Sequence, residues 1–208
     1  MPTTTFPLPK VAALLKQART AAEANDPNKL LAAFPCLQLK PGYTLFTQLY
    51  AAGGNGNGFT YAYPTGARLP RKTLTRWPDQ APQQAEAPMA AIEGDGTPWS
   101  YLCASLLGRE LDELGAQWHG CSWSTHDLCT ADPTAGKDSG WERTGPIPKE
   151  FAPAVTQTEE STTVSFYTVS ELGQCRLIRH TDQYPAGRGY LAECSEETIA
   201  HGPGGYIF

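Results

Sequence analysis

Apolar residues recur at three- and four-residue steps near the start of the chain. Val11, Leu14, Leu15, Ala18 and Ala22 share one face, with Lys10, Lys16, Gln17 and Arg19 mostly off it, the pattern of an amphipathic helix. A short second helix follows: Asp26 can cap it, Pro27 suits its first turn, Leu30, Leu31 and Phe34 form its buried side, and Pro35 stops it. From Tyr43 to Tyr63 the texture becomes aromatic and β-branched. The runs Thr44–Tyr50 and Phe59–Tyr63, joined by the Gly/Asn-rich stretch Ala51–Gly58, predict an antiparallel hairpin. That stretch has neither the Lys-Ser/Thr ending of a P-loop nor the glycine spacing and following helix of a dinucleotide fold, so it reads as a turn rather than a phosphate cradle.

The most continuous apolar stripe is Trp99, Leu102, Cys103, Leu106, Leu107, Leu111 and Leu114, with Ser105, Arg109, Asp112 and Glu113 toward the opposite face. Thr97 is a suitable cap, Pro98 fits the first turn and Gly115 the stop, so this segment should be the central helix. The C-terminal third is strand-like over Thr162–Ser170, Gln174–Tyr184 and Tyr190–Ala200, with separations short enough to favour an antiparallel meander over parallel crossovers. Helices early and strands late predict an α+β fold: N-terminal helices, one central amphipathic helix and a mainly antiparallel sheet ending in a meander.

Residues 1–208 are expected to form one domain, with irregular connections over about 64–90 and 130–153. The first connection carries Arg68, Arg71, Lys72 and Arg76 with Leu69, Leu74 and Trp77, and reads as an arm pinned to the body. Apolar residues make up 40% of the chain and charged ones only 18%, which describes a globular protein rather than a disordered one. A net charge of −5 gives no electrostatic footprint for nucleic acid as the main partner or for an anionic membrane. No apolar run approaches the roughly 20 residues of a membrane span, and no secretion signal opens the chain, so a cytoplasmic protein with six reduced cysteines is expected.

Candidate chemistry concentrates in Trp118-His119-Gly120-Cys121-Ser122-Trp123-Ser124-Thr125-His126-Asp127-Leu128-Cys129. A structural zinc site places its ligand pairs a dozen or more residues apart, and the short run between Cys121 and His126 does not fit that spacing. A nucleophilic Cys121, with His119 or His126 as base and Asp127 or Asp132 as orienter, would need sequence neighbours to be the catalytic partners, which is uncommon. Neither a metal nor a cofactor is assigned.

Proton transfer by a His/carboxylate pair is the more economical chemistry. Glu93 and Asp95 precede the central helix, whose N-terminal dipole favours negative charge. If the following strand runs back along that helix, His126 and Thr125 approach them, with Trp99 and Trp123 as walls. Asp95 also has a simpler role in the turn Gly94-Asp95-Gly96-Thr97-Pro98. On the last sheet, Ile178, His180, Asp182 and Tyr184 share a face by alternation, where His180 and Asp182 could join a site or simply pair across strands. The tail, His201 to Phe208, ends in apolar residues and is expected to dock on the body or insert into a partner.

The expected function is a binding or accessory module. Its aromatic, histidine-rich cleft (Trp99, Trp118, His119, Trp123, Thr125, His126) would hold a small polar molecule or a partner segment. The alternative is a hydrolase or proton-transfer enzyme using His119 or His126 with Glu93, Asp95 or Asp127.

Overall fold

The computed structural model describes residues 1–136 and 139–207. Strand β1 (Thr3–Thr5) leads into helix α1 (Leu8–Ala22), which buries Val11, Leu14, Leu15 and Ala18. Helix α2 (Pro27–Ala32) begins where Asp26 accepts the Asn28 N–H, with Pro27 in the first turn and Leu30 and Leu31 buried. Strands β2 (Leu37–Leu39), β3 (Tyr43–Ala52), β4 (Asn55–Pro64), β5 (Thr73–Leu74) and β6 (Ile92–Gly94) follow. β2 pairs with β6, and β5 lies parallel to β3.

The β3–β4 hairpin is tighter than the loop expected from its composition. Pairing continues to Ala52 opposite Asn55, and Gly53 and Gly54 alone make the reversal at φ +62° and +82°. Two consecutive residues at positive φ match the type I′ turn, whose twist suits a hairpin and which glycine adopts without steric cost. Most of the Gly/Asn run is therefore strand.

Helix α3 (Pro98–Asp112) starts at Thr97, whose hydroxyl accepts the Ser100 N–H, and Gly115 takes a positive φ just beyond its end. Strand β7 (Gln117–Trp118) joins the edge of β4. A 3₁₀ turn at Trp123–Thr125 then leads to β8 (His126–Leu128). The remaining strands are β9 (Glu142–Arg143), β10 (Ala154–Gln157), β11 (Ser161–Ser170), β12 (Arg176–Pro185) and β13 (Glu193–His201). The fold is α+β and dominated by antiparallel sheet, with β11, β12 and β13 as the C-terminal meander.

Among the described residues the larger sheet has seven strands, ordered β1-β10-β11-β12-β13-β9, and β8 pairs with the far end of β11 on the edge that β10 occupies nearer its start. Alternation points Thr162, Val164, Phe166, Thr168 and Ser170 of β11 inward, together with Ile178, His180, Asp182 and Tyr184 of β12. On the outer face Trp141, Ile147 and Phe151, from the segment 139–153, pack on Leu177, Ile199 and Ala200.

The larger apolar cluster among the described residues joins Leu14 and Leu15 of α1, Leu30 of α2, Leu45 of β3, Leu102, Leu106 and Leu111 of α3, and Val164 and Phe166 of β11. Helix α3 is thus covered on more than its apolar stripe. Ser105 and Glu110 are buried too: Tyr184 of β12 closes over Ser105, and Trp123 and Arg19 close over Glu110. The tail docks through its backbone: Tyr206 exchanges hydrogen bonds with Glu171 and Gly173, at 2.9 and 2.7 Å. Ile207 is exposed and Phe208 lies outside the described residues. Among the described residues, no helix is long and apolar enough to cross a membrane.

Candidate functional site

The polar face of α3 meets the inner face of the meander in a buried network. Arg109 donates from Nη1 to Asp182 Oδ2 at 2.6 Å and from Nη2 to Asp182 Oδ1 at 2.8 Å, the bidentate geometry that planar guanidinium and carboxylate groups favour. Asp182 is fully buried. Burial opposes the charge on Arg109, but the Asp182 hydrogen bonds and field outweigh it and raise the guanidinium pKa. The two side chains form a buried salt bridge between α3 and β12.

Beside it runs a chain of hydrogen bonds with a defined direction. His180 sits directly opposite Glu196 across β12 and β13, and its Nδ1 lies 3.1 Å from Glu196 Oε1. Arg109 Nη2 lies 3.4 Å from the same nitrogen. A carboxylate can only accept, and burial keeps His180 neutral by lowering its pKa, so the shorter contact places the proton on Nδ1. His180 Nε2 must then accept from the Thr168 hydroxyl at 2.7 Å. With its one proton so used, Thr168 Oγ1 accepts from His126 Nδ1 at 3.0 Å. Glu196 thereby sets the tautomer of His126 through two intervening side chains, leaving His126 Nε2 as a lone-pair acceptor.

The electrostatics agree with that assignment. The His180 hydrogen bond holds the Glu196 carboxyl down at about 2. Burial lowers His126 to about 4. His126 is only 4% exposed, and with its Nδ1 proton given to Thr168 the ring's remaining hydrogen-bonding position is the Nε2 lone pair. The ring nevertheless lines a cleft of ≈ 250 Å³ with Asn57, Arg109, Asp112, Glu113, Trp123 and Glu196. Its other side borders a groove of ≈ 690 Å³ against α1, where Leu8, Ala12, Leu15 and Arg19 are neighbours.

Trp123 fixes the geometry of this corner. Its indole N–H donates to Glu110 Oε1 at 2.7 Å, and the guanidinium carbons of Arg19 and Arg109 lie 5.9 and 5.5 Å from its ring centre, within cation–π range. Arg19 also donates to the backbone carbonyl of His126 at 2.7 Å, tying α1 to β8. Phe166 stacks on His180 with centroids 4.6 Å apart and planes 12° apart. Both imidazoles are thus held rigidly.

No protein-family model, curated protein or solved structure matches this chain.

The structure brings together only part of the residue set nominated from the sequence. Trp123, His126 and Thr125 adjoin the cleft or its support, Thr125 donating to the Ser122 carbonyl and lying 3.1 Å from the Ser170 hydroxyl. Asp127 neighbours His126 but points outward, 91% exposed, 3.8 Å from Arg19. Trp118 and His119 are exposed at the tip of the hairpin sheet, away from His126; Trp118 holds a positive φ beside Asn55, and His119 lies near Gly54.

Glu93 and Asp95 stay at the opposite end of α3. Glu93 accepts from Gln38 at 2.7 Å. Asp95 accepts from the Thr97 N–H and hydroxyl, which hold its carboxyl below the usual range in the turn role. Trp99 packs on Phe6 under the Lys10 ammonium. The chain does return along α3, but β8 reaches only its last turns, and roughly 18 Å of helical rise separates Pro98 from Glu110. Burial pushes the Cys121 thiol up, against a thiolate. Among the described residues, no three His, Cys, Asp or Glu side chains gather as a metal site.

Arg109, Thr168 and Glu196 were not nominated. His180 and Asp182 had been placed on one face of the strand, and that alternation was the available signal. Nothing local distinguishes Glu196 from its neighbours Glu193 and Glu197; pairing with β12 alone singles it out.

Proposed function

We propose that the chain is a binding module that holds a small polar molecule in the cleft between α3 and β8. The observation that carries the reading is the directed chain Glu196–His180–Thr168–His126, which ends at a buried, neutral imidazole lining a cleft that also contains a carboxylate. A ligand with hydrogen-bond donors would satisfy both His126 Nε2 and the outer oxygen of Glu196. A preformed site with few, well-oriented polar groups is what small-molecule recognition requires. All six cysteines are unpaired thiols, which agrees with a cytoplasmic setting.

The test is a thermal-shift screen of small polar molecules on the wild-type chain and on His126→Phe, which keeps a ring of similar size and removes both nitrogens. A ligand present at 100 times its Kd adds about 2.7 kcal/mol, or about 5–10 °C for a chain of this length. The expected result is at least one ligand whose shift vanishes in His126→Phe while the far-UV circular dichroism is unchanged. A screen whose hits ignore His126, or one without hits, overturns the reading.

The same chain supports a second reading, a proton-transfer enzyme or hydrolase in which His126 acts as base with its tautomer set by a remote carboxylate. It predicts turnover that falls as His126 protonates and that Glu196→Gln depresses more in kcat than in KM.

A further inference from the structure

We propose that this polar cleft is one end of a two-part site for an organic cation, an ammonium group carried on an apolar, aromatic-sized body; the inference rests on the binding reading above. A second cavity, of ≈ 510 Å³, lies between β4, α3 and the β12–β13 edge. Arg109, Asp112 and Glu196 line both spaces, so the two meet there. The walls of the larger one are Phe59, Tyr61, Tyr184, Tyr190 and Met89. Apolar walls converging on a few polar groups suit a ligand whose body is buried and whose head is held.

Gly108 lines this cavity from the middle of α3. Glycine inside a helix is destabilising relative to alanine, so its presence calls for a cause. Its backbone is not among those at positive φ. A Cβ added there would meet only Met89, at 3.7 Å from Cγ and 4.0 Å from Sδ, which is ordinary contact. Neither backbone conformation nor packing demands glycine; what it preserves is open space on the cavity floor.

The sign of the ligand's charge follows from which groups are already engaged. Arg109 spends its Nη donors on Asp182 and the Ser105 carbonyl, so it has little to offer an anion. Glu196 is half-exposed, and both His180 Nδ1, at 3.1 Å, and Arg109 Nε, at 4.0 Å, approach it on Oε1, which leaves Oε2 as the oxygen for a donor in the cavity. Asp112, exposed at the shared rim, adds a second negative charge. Burial pushes the Cys194 thiol up to about 11, so it lines the wall uncharged. Next to these acceptors stands His126, buried and neutral, whose Nδ1 proton goes to Thr168 and whose Nε2 can only accept. The unused capacity of the site is acceptor capacity.

The experiment is calorimetric titration of the full chain with three probes sharing one body: 4-phenylbutylamine, protonated at neutral pH, 4-phenylbutanol and 4-phenylbutyrate. The amine should bind at least about tenfold tighter than the other two, the range of a charge-assisted hydrogen bond. Glu196→Gln should bring it to the level of the alcohol. Gly108→Leu, which fills the floor, should abolish binding of amine and alcohol alike with the fold retained. Met89→Trp, which narrows the cavity from the wall opposite Gly108 and leaves the sequence of α3 unchanged, should do the same and stands in if Gly108→Leu does not fold. Equal or tighter binding of the carboxylate, binding indifferent to both filling variants, or no binding of any probe overturns the inference. A polar ligand that depends on His126 but ignores Gly108→Leu and Glu196→Gln overturns the two-part cation site and leaves the binding reading intact.

Discussion

Charging His126 inside the interface between α3 and the meander costs hydration that nothing adjacent replaces, which is why its pKa falls from 6.5 to about 4. The unfolded chain has no such penalty. Between pH 6.5 and 4 the unfolded state therefore binds a proton that the native state refuses, and stability falls as pH falls through that window. His180 is displaced in the same direction. Glu196 acts lower on the scale: its contribution is present above 4.5 and is lost as pH falls toward about 2. Urea unfolding at pH 7, 5.5 and 4 should show a decline, with up to about 3 kcal/mol arising from His126. His126→Phe should flatten that segment, and an unchanged slope in the variant would show that His126 titrates normally. Trp123 and His126 were legible from local density of unusual side chains. Glu93 and Asp95 were named for their position before α3 but are engaged in a strand pair and a turn, roles that sequence position alone does not separate from catalysis.

Helices and turns obeyed local rules closely. The stripe of α1, the Asp26 and Thr97 caps and the three strands of the meander follow from periodicity and capping chemistry, which act over one or two turns of chain. The hairpin was anticipated with too long a loop, because Gly and Asn score as turn residues even when their backbones pair across a ladder. Gly108 belongs to this scale: as an interior helical glycine without positive φ or a close neighbour, it should accept alanine with profit to the helix. Gly108→Ala is expected to raise stability by ~0.5–1 kcal/mol, or about 1–4 °C in Tm. A destabilised Gly108→Ala would mean that packing, and not open space, selects glycine there.

At the scale of the molecule, Arg109 and Asp182 join the central helix to the sheet. Removing either partner strands a charge that packing keeps from water, so Arg109→Met or Asp182→Leu alone should cost ~3–5 kcal/mol in denaturant unfolding. The double variant should recover most of that loss, since an apolar pair leaves neither charge unpaired. Additive losses would instead show that the two residues act through separate contacts.

Periodicity, caps and turn chemistry were enough to establish which segments of this chain are helix or strand and which face of each is apolar, because those preferences are settled by residues a few positions apart. They could not establish that the polar side of α3 would be buried. That depends on which strands pair, in what register and on which side of the helix they settle. The same assembly places His126, Thr168, His180 and Glu196 in one line although they come from four separate strands, and leaves Glu93 and Asp95 at the far end of α3. A hydrogen-bonded relay needs atoms within about 3 Å, and only the packing of the sheet on the helix brings residues so distant in sequence that close.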